Sequence, residues 1–371
     1  MNSQFIRIPL RRGCARARLT ALFALLAAAL GSRAADYPPP TPGDFVLKDF
    51  HFQDGSSLPE VKMHYLTFGA PRQNLRGTVT NAVLLLHGTG GNSSNFVRAS
   101  FAGELFGAGQ LLDATRCYLI IPDNLGHGQS AKPSDGLHAK FPNYVYRDMI
   151  LAQYRLLTEG LKVNHLRLVL GTSMGGMHTW LWGETYSEFM DALMPLASLP
   201  TQISGRNRVW RRAIIDAIRL DPEWKNGEYT TPPPGLRVAE EVSYFLSSNP
   251  VKRYEAAPTL AAADQMLDRS VAASIQVTDA NNMLYAFSAS QDYDPGPALE
   301  KIKSPLLAVN SADDLINPPE LRILEREIKR VKFGQAVVIP LSDQTDGHGT
   351  HTLAAVWKNH LADLLKKSEH K

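Results

Sequence analysis

Cysteine is almost missing. The 371 residues hold two, Cys14 and Cys117, and the first lies in a segment expected to be removed, so no intrachain disulfide staples the fold. Long basic blocks and basic stripes among aromatics are also missing, which leaves nucleic acid without an electrostatic footprint. Long apolar runs are scarce: Leu19 to Leu30 stands alone and falls short of the roughly 20 residues that span a bilayer. Internal repeats and low-complexity tracts are absent. No HExxH pattern accompanies the histidines, and no Gly-Lys-Ser/Thr ending follows any glycine-rich loop, which argues against a zinc protease and a nucleotide phosphate loop.

What is present begins with a leader. Arg7, Arg11, Arg12, Arg16 and Arg18 precede the apolar run, and Ser32-Arg33-Ala34-Ala35 follows it, the layout of a secretory signal peptide cleaved near Ala34 or Ala35. The expected location is therefore periplasmic or secreted, with no stable membrane anchor. Residues 1–35 carry six arginines and no acid, so their removal takes the net charge from +3 to −3. Asp36 to Pro42 reads as an extended arm stiffened by proline. Cys117 opens a strand-like run and is expected to be a buried thiol.

Short apolar runs then alternate with helix-like ones, the pattern of an α/β fold with a mostly parallel sheet and helices on both faces. Strands are expected at Val61–Phe68, Ala82–Leu86, Cys117–Pro122, Leu166–Leu170, Ala192–Leu196, Leu306–Asn310 and Ala336–Leu341. Helices are expected at Tyr144–Leu161, Met174–Tyr186 and His351–Leu365. Between 199 and 294 the alternation stops, and helix-like segments broken by Thr231-Pro232-Pro233-Pro234-Gly235 and Asn249-Pro250 take over. The chain thus divides into a first core part (36–198), a helical lid (199–294) and a second core part (295–371). The alternative for the middle part is a larger helical layer over the sheet.

Gly171-Thr172-Ser173-Met174-Gly175 lies directly between an expected strand and an expected helix. That setting turns a G-x-S-x-G match into a nucleophile elbow, with Ser173 raised at the end of a sheet. Serine needs a base oriented by a carboxylate, and both follow in the chain order serine, acid, histidine. Asp314 is favoured over Asp313 as the acid, because Leu315-Ile316-Asn317-Pro318 places a proline four positions on. His348, between two glycines, is favoured over His351 as the base. An oxyanion hole requires two preorganised donors, assigned to the N–H groups of Met174 and of Thr89 in His87-Gly88-Thr89-Gly90-Gly91. His87 reads as structural, and His127, in the polar turn after Ile121-Pro122, as a residue behind the site. His178, Trp180 and Trp182 read as core. No metal and no cofactor are expected.

Ser173-Met174-Gly175-Gly176-Met177, with Ala217-Ile218-Arg219-Leu220-Asp221-Pro222-Glu223-Trp224 and Gly235-Leu236, resembles the homoserine O-acetyltransferase branch of the α/β-hydrolase superfamily, from about residue 45 to 365. The resemblance implies an α/β-hydrolase fold with a helical lid insertion, an acyl group carried on Ser173, and Asp314 and His348 completing the triad. Two charged positions depart from that branch: Gly349 stands where it has an aspartate and Ile215 where it has an arginine. With the leader, these departures shift the expectation to an exported serine hydrolase acting on an ester, thioester, lactone or amide, its partner a small acyl substrate. The apolar lid residues lean toward an uncharged or partly apolar one. An O-acyltransferase using the same acyl-enzyme is the second reading, and a non-catalytic binding protein on a hydrolase fold the third.

Overall fold

The computed structural model describes residues 37–246 and 249–369; the expected leader and its cleavage site lie outside them. Eight strands form one sheet: β1 (Thr41–His51), β2 (Ser57–Phe68), β3 (Ala82–Leu86), β4 (Tyr118–Pro122), β5 (Leu168–Thr172), β6 (Leu193–Leu196), β7 (Leu306–Ser311) and β8 (Gly334–Ile339). Their order across the sheet is β1-β2-β4-β3-β5-β6-β7-β8. β1 pairs antiparallel with β2 and β2 with β4, and every pairing from β4 to β8 is parallel. The carboxyl ends of β3, β5, β7 and β8 consequently share one edge, where open α/β sheets place their sites.

Parallel strands covered on both faces must be apolar at nearly every position. β3, β5 and β7 are buried throughout. The period of two sorts their side chains to opposite sides. Leu84, Leu86, Val169 and Ala308 join one core cluster, whereas Val83, Leu85, Leu168, Leu170 and Val309 join the other. The first cluster is roofed by α1 (Tyr146–Arg155), α2 (Met174–Thr185) and the helices that follow β6. Trp357, Leu361 and Leu364 bring the last helix, Ala354–Lys367, against the second, a spacing that puts all three on one helical face.

Each of the seven expected runs forms a strand; Ala82–Leu86 has the expected bounds and the other six differ by one to four residues at one or both ends. β1 was not expected, and Thr41 and Pro42 belong to it instead of to a free arm. Its residues are mostly exposed, so no apolar alternation marks it, and its place at the sheet edge tolerates a proline without an N–H. Cys117 lies just before β4 and is half-buried, a correction to the buried strand thiol; burial still pushes its pKa up.

Among its described residues the stretch 199–294 carries five α-helices: α3 (Gly205–Arg219), α4 (Pro234–Leu246), α5 (Pro250–Ala256), α6 (Leu260–Ile275) and α7 (Ala280–Ser288). The polar residues that break it act as caps. Asn249, Thr259 and Asp279 each accept an N–H from the first turn of the following helix, and Pro250 takes the first helical position, where no N–H is needed. The C-terminal helix starts at Ala354 and not at His351, which sits in the short turn Gly349–Thr352.

Replacing Trp357, fully buried and 5.6 Å ring to ring from Phe101, by alanine should cost about 3–5 kcal/mol. Urea unfolding followed by far-UV circular dichroism reads the loss as a lower midpoint; an unchanged midpoint would mean the last helix is not part of the cooperative core.

Candidate active site

The turn from β5 into α2 is built backbone against backbone. A Cβ on Gly171 would stand 1.9 Å from the Gly175 carbonyl oxygen, and one on Gly175 would stand 1.9 Å from that of Leu86. Neither position has room for a side chain. Ser173 lies between them as the residue that caps α2, at φ 56° and ψ −112°, a conformation that costs a residue with a Cβ on the order of 1–3 kcal/mol. Its N–H donates to the Leu196 carbonyl at 2.9 Å, which ties the strained residue to β6.

Ser173 Oγ is 2.8 Å from His348 Nε2, and His348 Nδ1 is 2.9 Å from Asp314 Oδ2. The histidine and the aspartate are 8% and 1% exposed, so the contact between them is shielded from water, while half-buried Ser173 faces the cleft. Asp314 has its remaining lone pairs filled: Oδ1 accepts from the N–H groups of Ile316 and Asn317, and Oδ2 from the Asn317 amide at 2.9 Å. Burial alone would raise this carboxyl, but the facing His348 and these hydrogen bonds outweigh it and hold its pKa down at about 2. Asp313 turns elsewhere, accepting from Gly347 N–H and the Asn249 amide. His351 stacks edge-on to His348 with ring centroids 5.1 Å apart, and burial followed by the charge of His348 lowers its pKa to about 3.

Met174 is the first residue of α2, where N–H groups have no partner inside the helix and the helix dipole favours negative charge. Across from it, Gly88 packs against Ser173, and the Thr89 carbonyl is held 2.8 Å from His127 Nε2. His87 is fully buried, with one ring nitrogen at 2.8 Å from the Gly88 carbonyl and the other accepting the Asn124 N–H. Burial and the neighbouring His127 lower its pKa to about 3, so the ring stays neutral. His178, Trp180 and Trp182 are all fully buried. Both indole N–H groups are satisfied, by Ser198 and Gln153.

Gly88, Thr89, Ser173 and His348 line a cleft of about 700 Å³ whose other wall comes from the 199–294 helices, through Asn207, Arg211, Glu240, Asn282 and Phe287. None of these five was read from the sequence. Ile215 and Gly349, the two departures from the family pattern, are not among the lining residues of this cleft. Among the described residues no group of three His, Cys, Asp or Glu side chains converges as metal ligands would.

A model of the alpha/beta hydrolase fold matches residues 81–340. A probable acyltransferase of Methanothermobacter thermautotrophicus is 29% identical over 278 residues, spanning 75% of this chain and 84% of its own length. Homoserine O-acetyltransferase of Trichormus variabilis is 29% identical over 298 residues, or 73% and 79%. The structure of homoserine O-acetyltransferase from Bacillus anthracis superimposes with a TM-score of 0.76 at 22% identity, covering 88% of this chain and 98% of that one. An acetylester hydrolase from Corynebacterium glutamicum gives 0.74 at 18%, covering 88% and 96%.

Glycine is free of the Cβ penalty at φ 56°, so Ser173→Gly should melt higher than Ser173→Ala by the equivalent of about 1 kcal/mol. Calorimetry of the two variants side by side tests this, and equal melting temperatures would show that no strain is stored at the turn.

Proposed function

Because this chain belongs to the α/β-hydrolase fold family and holds Ser173, His348 and Asp314 in one hydrogen-bonded line, we propose that it is a serine hydrolase acting through an acyl-enzyme on Ser173. The observation that carries the reading is the 2.8 Å contact of Ser173 Oγ with His348 Nε2 on a histidine backed by an ionised, buried aspartate. Ser173 Oγ attacks the carbonyl of an ester, thioester, lactone or amide as His348 takes its proton. The N–H groups of Met174 and Thr89 receive the developing oxyanion. His348 then protonates the leaving group, and the acyl chain remains on Ser173. Water, deprotonated by His348, attacks the acyl carbon and releases the acid with Ser173 restored.

An alcohol or amine in place of that water makes the same site an acyltransferase, the activity named for the Methanothermobacter and Trichormus relatives. Two features favour hydrolysis. The positions where the resembling branch carries its aspartate and arginine hold Gly349 and Ile215, which offer no charge. The arginine-rich leader pattern of residues 1–35 supports export, away from cytoplasmic acyl donors, and the proposal includes it. Mass spectrometry of the protein purified from its native host should find a mature N-terminus at Ala35 or Asp36; an intact Met1 would end the export reading.

A p-nitrophenyl ester series from acetate to octanoate should be turned over by the protein and not by Ser173→Ala, and a phosphonate should label Ser173. Asp314→Asn should lower kcat by about 10⁴-fold, as loss of the orienting carboxylate does in such triads. Asp313→Asn, which leaves the His348 contact intact, should cost less than tenfold. Equal losses from both aspartates would remove Asp314 from the proposed role. Label without turnover, relieved by an added alcohol acceptor, would move the transferase reading ahead.

A further inference from the structure

Arg211 is a cation buried in the wall of the Ser173 cleft without an anion. It is 5% exposed, and among the described residues no carboxylate lies within 4.0 Å of it. Its two hydrogen bonds go to neutral acceptors: Nε donates to Asn207 Oδ1 and Nη1 to Ser290 Oγ, each at 3.1 Å. The guanidinium carbon is 5.6 Å from the Phe287 ring centroid. The other charges around the cleft are accounted for. Lys132 pairs with Asp135 at 2.7 Å, and Asp279 accepts from the Tyr229 hydroxyl and caps α7. Glu240 has its pKa raised by burial, with the Thr278 and Ser274 hydroxyls against it.

A buried charge that meets only neutral partners is destabilising; the Asn207 and Ser290 hydrogen bonds and the Phe287 ring tether the guanidinium without neutralising it. Two of the five guanidinium N–H groups are used, and three remain on Nη1 and Nη2, the edge that grips a carboxylate in a two-bond fork. The hydroxyl of Tyr146 is fully buried. It faces both Arg211 and the Thr89 side chain, which places the guanidinium beside the loop that carries the second oxyanion donor.

We propose that Arg211 is the anion-recognition residue of this cleft and that the substrate of Ser173 carries a carboxylate, on either its acyl or its alcohol part. The inference rests on the serine-hydrolase reading for the words "substrate of Ser173", and it replaces the uncharged substrate toward which the apolar lid residues lean. A carboxylate seated on Arg211 supplies the missing counter-charge, so binding energy comes from a group remote from the reacting carbonyl.

Four esters test it. Mono-p-nitrophenyl glutarate places the carboxylate on the acyl part and 4-acetoxybenzoate on the alcohol part; each is compared with its methyl ester, and each ratio of kcat/KM is divided by the ratio of uncatalysed alkaline rates. The wild-type ratio of acid to methyl ester should exceed about tenfold for one of the two pairs, the size of a charge-assisted fork, and the pair that shows it identifies the side Arg211 reads. Arg211→Gln should bring that ratio to near one and Arg211→Lys should restore part of it. A wild-type ratio near one for both pairs overturns the proposal, as does a ratio that Arg211→Gln leaves unchanged. If no ester shows turnover that depends on Ser173, the hydrolase reading has failed and the anion site is judged by melting alone. Millimolar glutarate should then raise the Tm of the wild type more than that of Arg211→Gln, and equal shifts end the proposal.

Discussion

Backbone-to-backbone contact at the turn between β5 and α2 is the constraint on which the rest of the site depends. Gly171 and Gly175 let that turn close until carbonyl oxygens of α2 and β3 occupy the space where side chains would be. With no slack in the turn, Ser173 has one place to be, at a positive φ and hydrogen-bonded to β6. The N-terminus of α2 is aimed at the same point. Loosening this packing by one methyl group would displace Ser173 and its nearest N–H donor together.

The partners of Ser173 arrive by a different route, the parallel register of the sheet. β7 ends beside β6 and β8 beside β7, so the loops after them descend on the serine from one side. Asp314 is locked by its own loop through Ile316 and Asn317, and the facing His348 together with this enclosure keeps it ionised in spite of burial. The opposite wall is helical and comes from a stretch far away in the chain. Its chemistry is mixed: apolar surface from Phe287 and Met283, amides from Asn207 and Asn282, and a guanidinium from Arg211.

Much of the central architecture was legible because buried parallel strands are apolar at every position and therefore stand out. The same logic hid β1, whose exposed residues carry no such signal, and misplaced Cys117 by one residue, from the end of a loop into the strand. The elbow serine was legible because its glycines are demanded by geometry and not by composition. Asp314 over Asp313 and His348 over His351 were choices between near neighbours, and the structure places the favoured member of each pair in contact with the line that leads to Ser173.

Arg211 shows the limit of such reading. It lies in Arg206-Asn207-Arg208-Val209-Trp210-Arg211-Arg212, a run that reads as a solvated helix face. The phase of α3 turns Arg206 and Arg212 outward and Arg211 inward, and only the packing of that helix over the sheet sets the phase. What the sequence by itself determined is the seven apolar strands, the order of the polar turns that follow them and the elbow serine, because those depend on local burial and on turns that admit only glycine. What the tertiary structure alone decided is the wall facing Ser173, since which side of an amphipathic helix meets a cleft depends on contacts between residues far apart in the chain.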